Sequence, residues 1–316
     1  MTQGSTKWFH PMGLNLCVET ENATLLKVCT DMFGRFGPED RQRAADLHFS
    51  LRVSQRANLT TRPTFKFENE WACAWVGDEQ VIRANPAAGT VHGCFPLELL
   101  RHEAVLRHHY LQFALAVLLM ARGFAGIHAT GLERNGRTVL IRGPRGSGKS
   151  VLALAAVERG WRILADSTVW IDPKGDWWGI PWWLRLRRSA VALFPKLNLD
   201  SAALVAEEDN GEDKLEVSVD QICPGSGVLH GPAGIVLFLE RNLRAESRLE
   251  TVAKGELGGL WQAGSSGRET LAPAYHERIE QILKQRGGRL SVGHNLDQAI
   301  DLLDKYLQAA DYLLFL

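Results

Sequence analysis

The sequence predicts an α/β protein: a sheet with flanking helices, plus a small β-rich N-terminal subdomain. Three observations carry this. From about residue 124 onward, strand-like and helix-like patterns alternate. A glycine-rich loop, Gly143–Ser150, lies between an apolar strand pattern and a helix pattern. Before residue 97, period-two alternation of apolar and polar residues dominates. The expected domains are therefore residues 1–97, the β-rich subdomain, and residues 98–316, the loop-bearing domain with a C-terminal α/β extension.

Taken in order, "LHFSLRVSQ", "TFKFENEWACAWVG" and "QVIRANPAAGTVHGCF" read as strands separated by Gly, Asn, Pro and Asp turns. "ATLLKVCTDMFGRF" has helical spacing instead. Pro96 opens a helical stretch from Leu97 to about Arg122, apolar on most sides and stopped by Gly123. "GIHATGLE" and "GRTVLIRG" read as strands turning at Asn135-Gly136. "KSVLALAAVERG" is a helix closed by Gly160, and "WRILADSTVWID" a further strand. "AGIVLFLER" is apolar throughout, as a central strand is. A helix at 275–285, the strand "GRLSVGH" and a helix from Leu296 to about Gln308 complete the chain.

At 316 residues, with 45% apolar and 23% charged residues, the composition is that of a soluble globular protein. Net charge is zero, so no global basic field argues for nucleic acid or an anionic membrane. The N-terminus lacks a secretory pattern, and the longest apolar run, Leu111–Met120, is too short to span a bilayer. A cytoplasmic protein is expected. The five cysteines form no CxxC pair and have no His at local metal spacing, so they read as reduced buried thiols.

"GPRGSGKS" satisfies G-x-x-x-x-G-K-[ST]. Gly143, Gly146 and Gly148 permit a turn tight enough for successive amides, including those of Arg145 and Ser147, to face phosphate oxygens. The helix that follows adds its positive end. Lys149 then reaches the β- and γ-phosphates, and the Ser150 hydroxyl ligates Mg²⁺. ATP and Mg²⁺ are thus the expected ligands. "RILAD" delivers Asp166 at a strand end, where a second acid of such a site holds the metal or its water. Asp172, in the turn sequence "IDPKGD", is the rival acid. His128 precedes the strand pair that feeds the loop.

"IHATGLERNGRTVLIRGPRGSGKSVLALAAVERGWRILAD" resembles the core of the HPr kinase/phosphorylase family and its wider group of HPr-kinase-like proteins. The resemblance is good over residues 115–172 and slight beyond 175. It implies the family's C-terminal-domain fold, with Lys149 and Ser150 as the P-loop pair. It also implies Asp166 as the acid that deprotonates an acceptor hydroxyl and binds metal, with His128 beside it. The family's second acid is replaced by Ser167. On a looser match in "LRLRRSAVALF", Arg187 falls on the family's arginine and Arg185 on its glutamate.

The activity so implied is transfer of the ATP γ-phosphoryl group to a serine hydroxyl of a peptide or protein. HPr-kinase-like enzymes also tailor ribosomally made peptides, including lasso precursors, and the divergent second acid points to that group. The alternative is a nucleotide-binding regulatory protein with little phosphoryl transfer, which Ser167 favours. "DWWGIPWWLRLRR" packs four tryptophans closely and reads either as a core hairpin or as a docking surface for the acceptor or another subunit. No nucleic-acid or membrane partner is expected, and a homo-oligomer is left open. "AEEDNGEDK", 206–214, reads as a solvated acidic loop.

Overall fold

Alternation along the N-terminal strands becomes a seven-stranded sheet in the computed structural model, whose described residues are 5–37, 44–55, 63–195, 203–206, 213–242, 246–263 and 273–312. The chain forms two compact units, Met1–Gly123 with Ala203–Asp213, and Phe124–Ala202 with Lys214–Leu316. The division thus falls after Gly123, a correction to the expected boundary at 97. The apolar helix that was expected to open the second domain lies in the first unit.

In the first unit the strand order is Ser5–Phe9, Leu16–Thr20, Leu47–Ser54, Thr90–Pro96, Glu79–Asn85, Trp71–Val76, Thr64–Glu68. The second, third and fourth strands of that order run parallel. The helix Ala23–Phe33 bridges the first parallel pair. Asn22 caps it by accepting a hydrogen bond from the Leu25 amide at 3.0 Å. Leu16, Val18, Leu47, Phe49, Leu51, Val91 and Phe95, at alternate positions, are all buried. The stretch Glu103–Ala121 is long and apolar enough to cross a membrane by length and composition, yet most of it is buried within the unit. It includes a π-helical turn, Leu106–Leu111, before the regular helix Gln112–Ala121.

The second unit carries a six-stranded sheet ordered Arg162–Ala165, Thr130–Arg134, Arg137–Arg142, Ile235–Arg241, Gly287–Val292, Arg248–Val252. Its centre is parallel: Arg137–Arg142 pairs with Ile235–Arg241, and that strand with Gly287–Val292. The fully apolar Ile235–Leu239 run therefore sits where both faces are covered. Leu152–Val157 of the helix Lys149–Glu158 and Ala299, Ile300, Leu303 and Leu307 of the helix Leu296–Tyr312 share one core with Val139, Ile141 and Leu237. Arg159 ties the two helices at the rim, reaching Asp297 at 2.9 Å and Asp301 at 2.7 Å.

Two expected strands differ from the sequence pattern in an informative way. "GIHATGLE" is broken into Ala125–Ile127 and Thr130–Arg134, and "WRILADSTVWID" into Arg162–Ala165 and Val169–Ile171. In each case the first and second pieces belong to different sheets. Thr130–Arg134 and Arg162–Ala165 pair in the six-stranded sheet, while Ala125–Ile127 and Val169–Ile171 pair in a four-stranded one with Trp177–Trp178 and His230–Gly231. Both chains change sheet side by side. Between the two ladders residues 166–168 face residues 128–130, three against three, and the bulge of this pair lies just before them, between Ile163 and Ala165. Ser167, midway across, has φ of 75°, in the left-handed region.

The tryptophan stretch is not a single hairpin. Trp177–Trp178 joins the four-stranded sheet, and Trp183–Arg187 pairs antiparallel with Asp213–Ser218. Trp177 and Trp182 are buried, whereas Trp178 and Trp183 are half-buried. Most of the acidic segment 206–214 lies outside the described residues.

Candidate active site

The strands Thr130–Arg134 and Arg137–Arg142 turn at Asn135 and Gly136, both with positive φ (53° and 78°), as a two-residue hairpin of the favoured hand requires. The second strand runs into the glycine-rich loop at the end of the parallel ladder, where ligands of α/β sheets gather. Gly146 (φ 80°) and Gly148 (φ 99°) adopt backbone that side-chain-bearing residues rarely take. Gly148 also caps the helix Lys149–Glu158, so the unsatisfied first-turn amides face the loop. Lys149 is buried and folds its Nζ back onto the carbonyls of Gly143 (2.8 Å) and Pro144 (3.2 Å). Arg145 projects from the exposed side of the loop.

Asp166 is the convergence point. The Ser150 hydroxyl lies 2.9 and 3.0 Å from its two carboxylate oxygens. The Thr130 hydroxyl donates to Oδ1 at 3.0 Å, and the Arg185 amide donates to Oδ2 at 3.1 Å. A carboxylate with donors on both oxygens has its plane fixed. His128 Nδ1 is 3.0 Å from the carbonyl of Ser167, the residue that follows Asp166. In the neutral ring this contact puts the proton on Nδ1 and makes Nε2 the acceptor.

The strand Trp183–Arg187 supplies a second element. Besides presenting the Arg185 amide to Asp166, it brings Arg187 over the loop: a Cβ built on Gly146 would stand 3.4 Å from Arg187 Nη2. Lys149, Ser150, Asp166, His128 and Arg187 therefore surround one short stretch of chain. Asp172 does not join them. It is buried in its own turn, accepting from the amides of Lys174 (2.8 Å) and Asp176 (3.0 Å) and from Trp178 Nε1 (3.0 Å), which accounts for it as a turn residue.

Two contributors are absent from the sequence reading. Thr130 opens the strand two residues after His128, but a lone threonine carries no chemical signature. Arg142, fully buried at the strand end below the loop, stacks its guanidinium 4.0 Å from the Trp261 ring centre. Trp261 comes from far along the chain and is held by its indole N–H on the Tyr275 hydroxyl at 3.0 Å.

The residues fit a phosphate ligand and a hard cation. Ser147 Oγ is buried in the loop with no hydrogen-bond partner among the described residues. A buried hydroxyl costs about 1–3 kcal/mol when left unpaired, so it suits a ligand oxygen. Ser150 and Asp166 offer the oxygen donors that Mg²⁺ takes.

No family model matches this chain, and no curated protein does. Among solved structures, the Hpr(Ser) kinase/phosphatase from Coxiella burnetii aligns over 59% of this chain and 98% of that one, at 14% identity and a TM-score of 0.31. Fold and site therefore rest on this chain's own residues.

Proposed function

We propose that this chain is an ATP-dependent kinase that transfers the γ-phosphoryl group to a serine hydroxyl of a peptide or protein, with a lasso-type precursor peptide as one such acceptor. The observation that carries the reading is the clustering on Asp166. One carboxylate contacts the Ser150 hydroxyl of the phosphate loop and is held by Thr130 and by the Arg185 amide.

Loop amides and Lys149 hold the nucleotide phosphates, which requires Lys149 to leave the Gly143 and Pro144 carbonyls. Mg²⁺, held by Ser150 and Asp166, would neutralise charge on the phosphates. Asp166 takes the proton as the serine oxygen bonds to the γ-phosphorus. The bond from that phosphorus to the bridging oxygen breaks, and ADP leaves. Arg187 spreads positive charge over the transferring group. The half-buried Trp183, Arg185 and Arg187 alternate along one strand and supply the docking edge for the acceptor, in place of the buried Trp177 and Trp182. Reaction in a cytoplasmic setting, where ATP is abundant, belongs to the same proposal.

The second reading, a nucleotide-binding regulatory protein, is favoured by one feature. Ser167 puts a hydroxyl in a strained left-handed position where the resembling family has a second acid. Mass spectrometry of serine-containing peptides incubated with the protein, ATP and Mg²⁺ separates the two. An added phosphoryl group that disappears with Asp166→Asn supports the kinase. Nucleotide binding with no transfer to any peptide or protein supports the regulator.

A further inference from the structure

The first unit holds a cluster that plays no part in phosphoryl transfer. Its strands Leu16–Thr20 and Leu47–Ser54 run parallel with Cys17 opposite His48. Glu19, two residues beyond Cys17, projects from the same sheet face. One ligand atom from each of Cys17, Glu19 and His48 lies within 4.8 Å of the other two. His48 Nε2 is 3.2 Å from Glu19 Oε1. Cys17 is a free thiol, buried, while Glu19 is exposed and His48 half-buried, so the cluster is closed below and open above.

We propose that Cys17, Glu19 and His48 form a binding site for a borderline-soft divalent cation of the Zn²⁺ class. Thiolate, imidazole and carboxylate are the three donor types such ions prefer. Tetrahedral coordination at ordinary Zn–S, Zn–N and Zn–O lengths spaces donor atoms roughly 3.3–3.6 Å apart. The His48–Glu19 pair, at 3.2 Å, is already close to that spacing, and the Cys17 sulfur, within 4.8 Å of both, needs to close by about 1 Å at most, within reach of a rotamer adjustment. Parallel pairing fixes the Cys17 and His48 backbones, so little ordering entropy is lost on binding. Without a cation, burial and the Glu19 carboxylate push the Cys17 thiol up. A bound cation offsets both effects by taking the thiolate. Three protein donors leave the fourth position on the open side for water or an exogenous ligand. Local cysteine and histidine spacing does not show the site, because its two halves come from different strands.

The test uses the full chain, free of affinity tag and reduced, titrated with Co²⁺ as the spectroscopic probe and back-titrated with Zn²⁺. The expected result is a thiolate-to-Co²⁺ charge-transfer band with visible d–d bands of tetrahedral intensity at one equivalent, bleached by Zn²⁺. Cys17→Ser should abolish the charge-transfer band. Glu19→Gln and His48→Gln should each weaken Co²⁺ binding at least tenfold, and Glu19, being exposed, can be changed without risk to the fold. Cys94→Ser, which removes the exposed cysteine of the same unit, should leave the band unchanged. Absence of a thiolate band in the folded wild-type chain overturns the proposal and leaves only a His48–Glu19 ion pair. A band that follows Cys94 rather than Cys17, or that Glu19→Gln and His48→Gln both leave intact, overturns it too.

Discussion

A single carboxylate held from several directions behaves differently from one in water, and Asp166 is that case. Asp166→Asn keeps the shape but accepts no proton, so phosphoryl transfer should fall by about 10²–10⁴-fold while ATP still binds. Equilibrium nucleotide binding measured beside single-turnover transfer checks the split. Lys149→Ala should reduce turnover by about 10²–10³-fold, the usual cost of removing one donor to developing charge. Near-normal turnover in that variant would show that the loop serves another end. Thr130 acts through Asp166 as a positioning residue. Thr130→Val should lower kcat about 10–100-fold with KM for ATP little changed. Thr130→Ser should restore kcat. Loss of stability without a lowered kcat would make Thr130 structural only. His128 contacts the Ser167 carbonyl rather than the acid itself, so His128→Ala should be the milder lesion. The approach of Asp166 to Ser150 was legible because the loop pattern and the strand that follows its helix bring the two together. Thr130 and the Arg185 amide were not, since a hydroxyl or a backbone N–H in one strand says nothing about a carboxylate brought there by another.

Among the elements, the helices and the apolar central strand matched their periodicity, as did the hairpin at Asn135-Gly136. The failures cluster where two strands change sheets. Alternation runs through "GIHATGLE" without a break, and the polar "DST" that interrupts "RILADSTVWI" is short enough to pass for part of one strand; only pairing partners distant in sequence reveal that the pieces join different sheets. The tryptophan stretch failed for a similar reason, because its two halves pair with different segments. Gly179 lies between those halves and presses on the strand that delivers Asp166. A Cβ there would stand within 1.8 Å of the Leu164 carbonyl oxygen. Gly179→Ala should therefore destabilise the protein by about 1–3 kcal/mol and lower transfer as well, by displacing the acid. Thermal melts beside activity assays test this, and a variant with unchanged melting and turnover would contradict the close packing.

At the scale of the whole molecule, the proposed nucleotide site and the proposed Cys17–Glu19–His48 cation site fall in different units. Hydrogen exchange with saturating ATP and Mg²⁺ should slow at 143–150 and around 163–168, with 47–54 unaffected. Protection confined to the first unit would refute the phosphate-loop assignment. At a nucleotide concentration 100 times Kd, linkage adds about 2.7 kcal/mol to the state that binds. The domain boundary was the least legible feature at this scale. An apolar helix shows that it must be covered but not by which sheet. Where two strands change sheets, the chain gains evolutionary freedom. Residues 128–129 and 166–168 lie between two hydrogen-bonded ladders and belong to neither, so their side chains are spared the alternation that constrains every neighbour. Mutation can exchange acid, hydroxyl or imidazole there while both sheets keep their pairings. A lineage built on this scaffold can gain, retune or abandon a reaction without first having to invent a new fold.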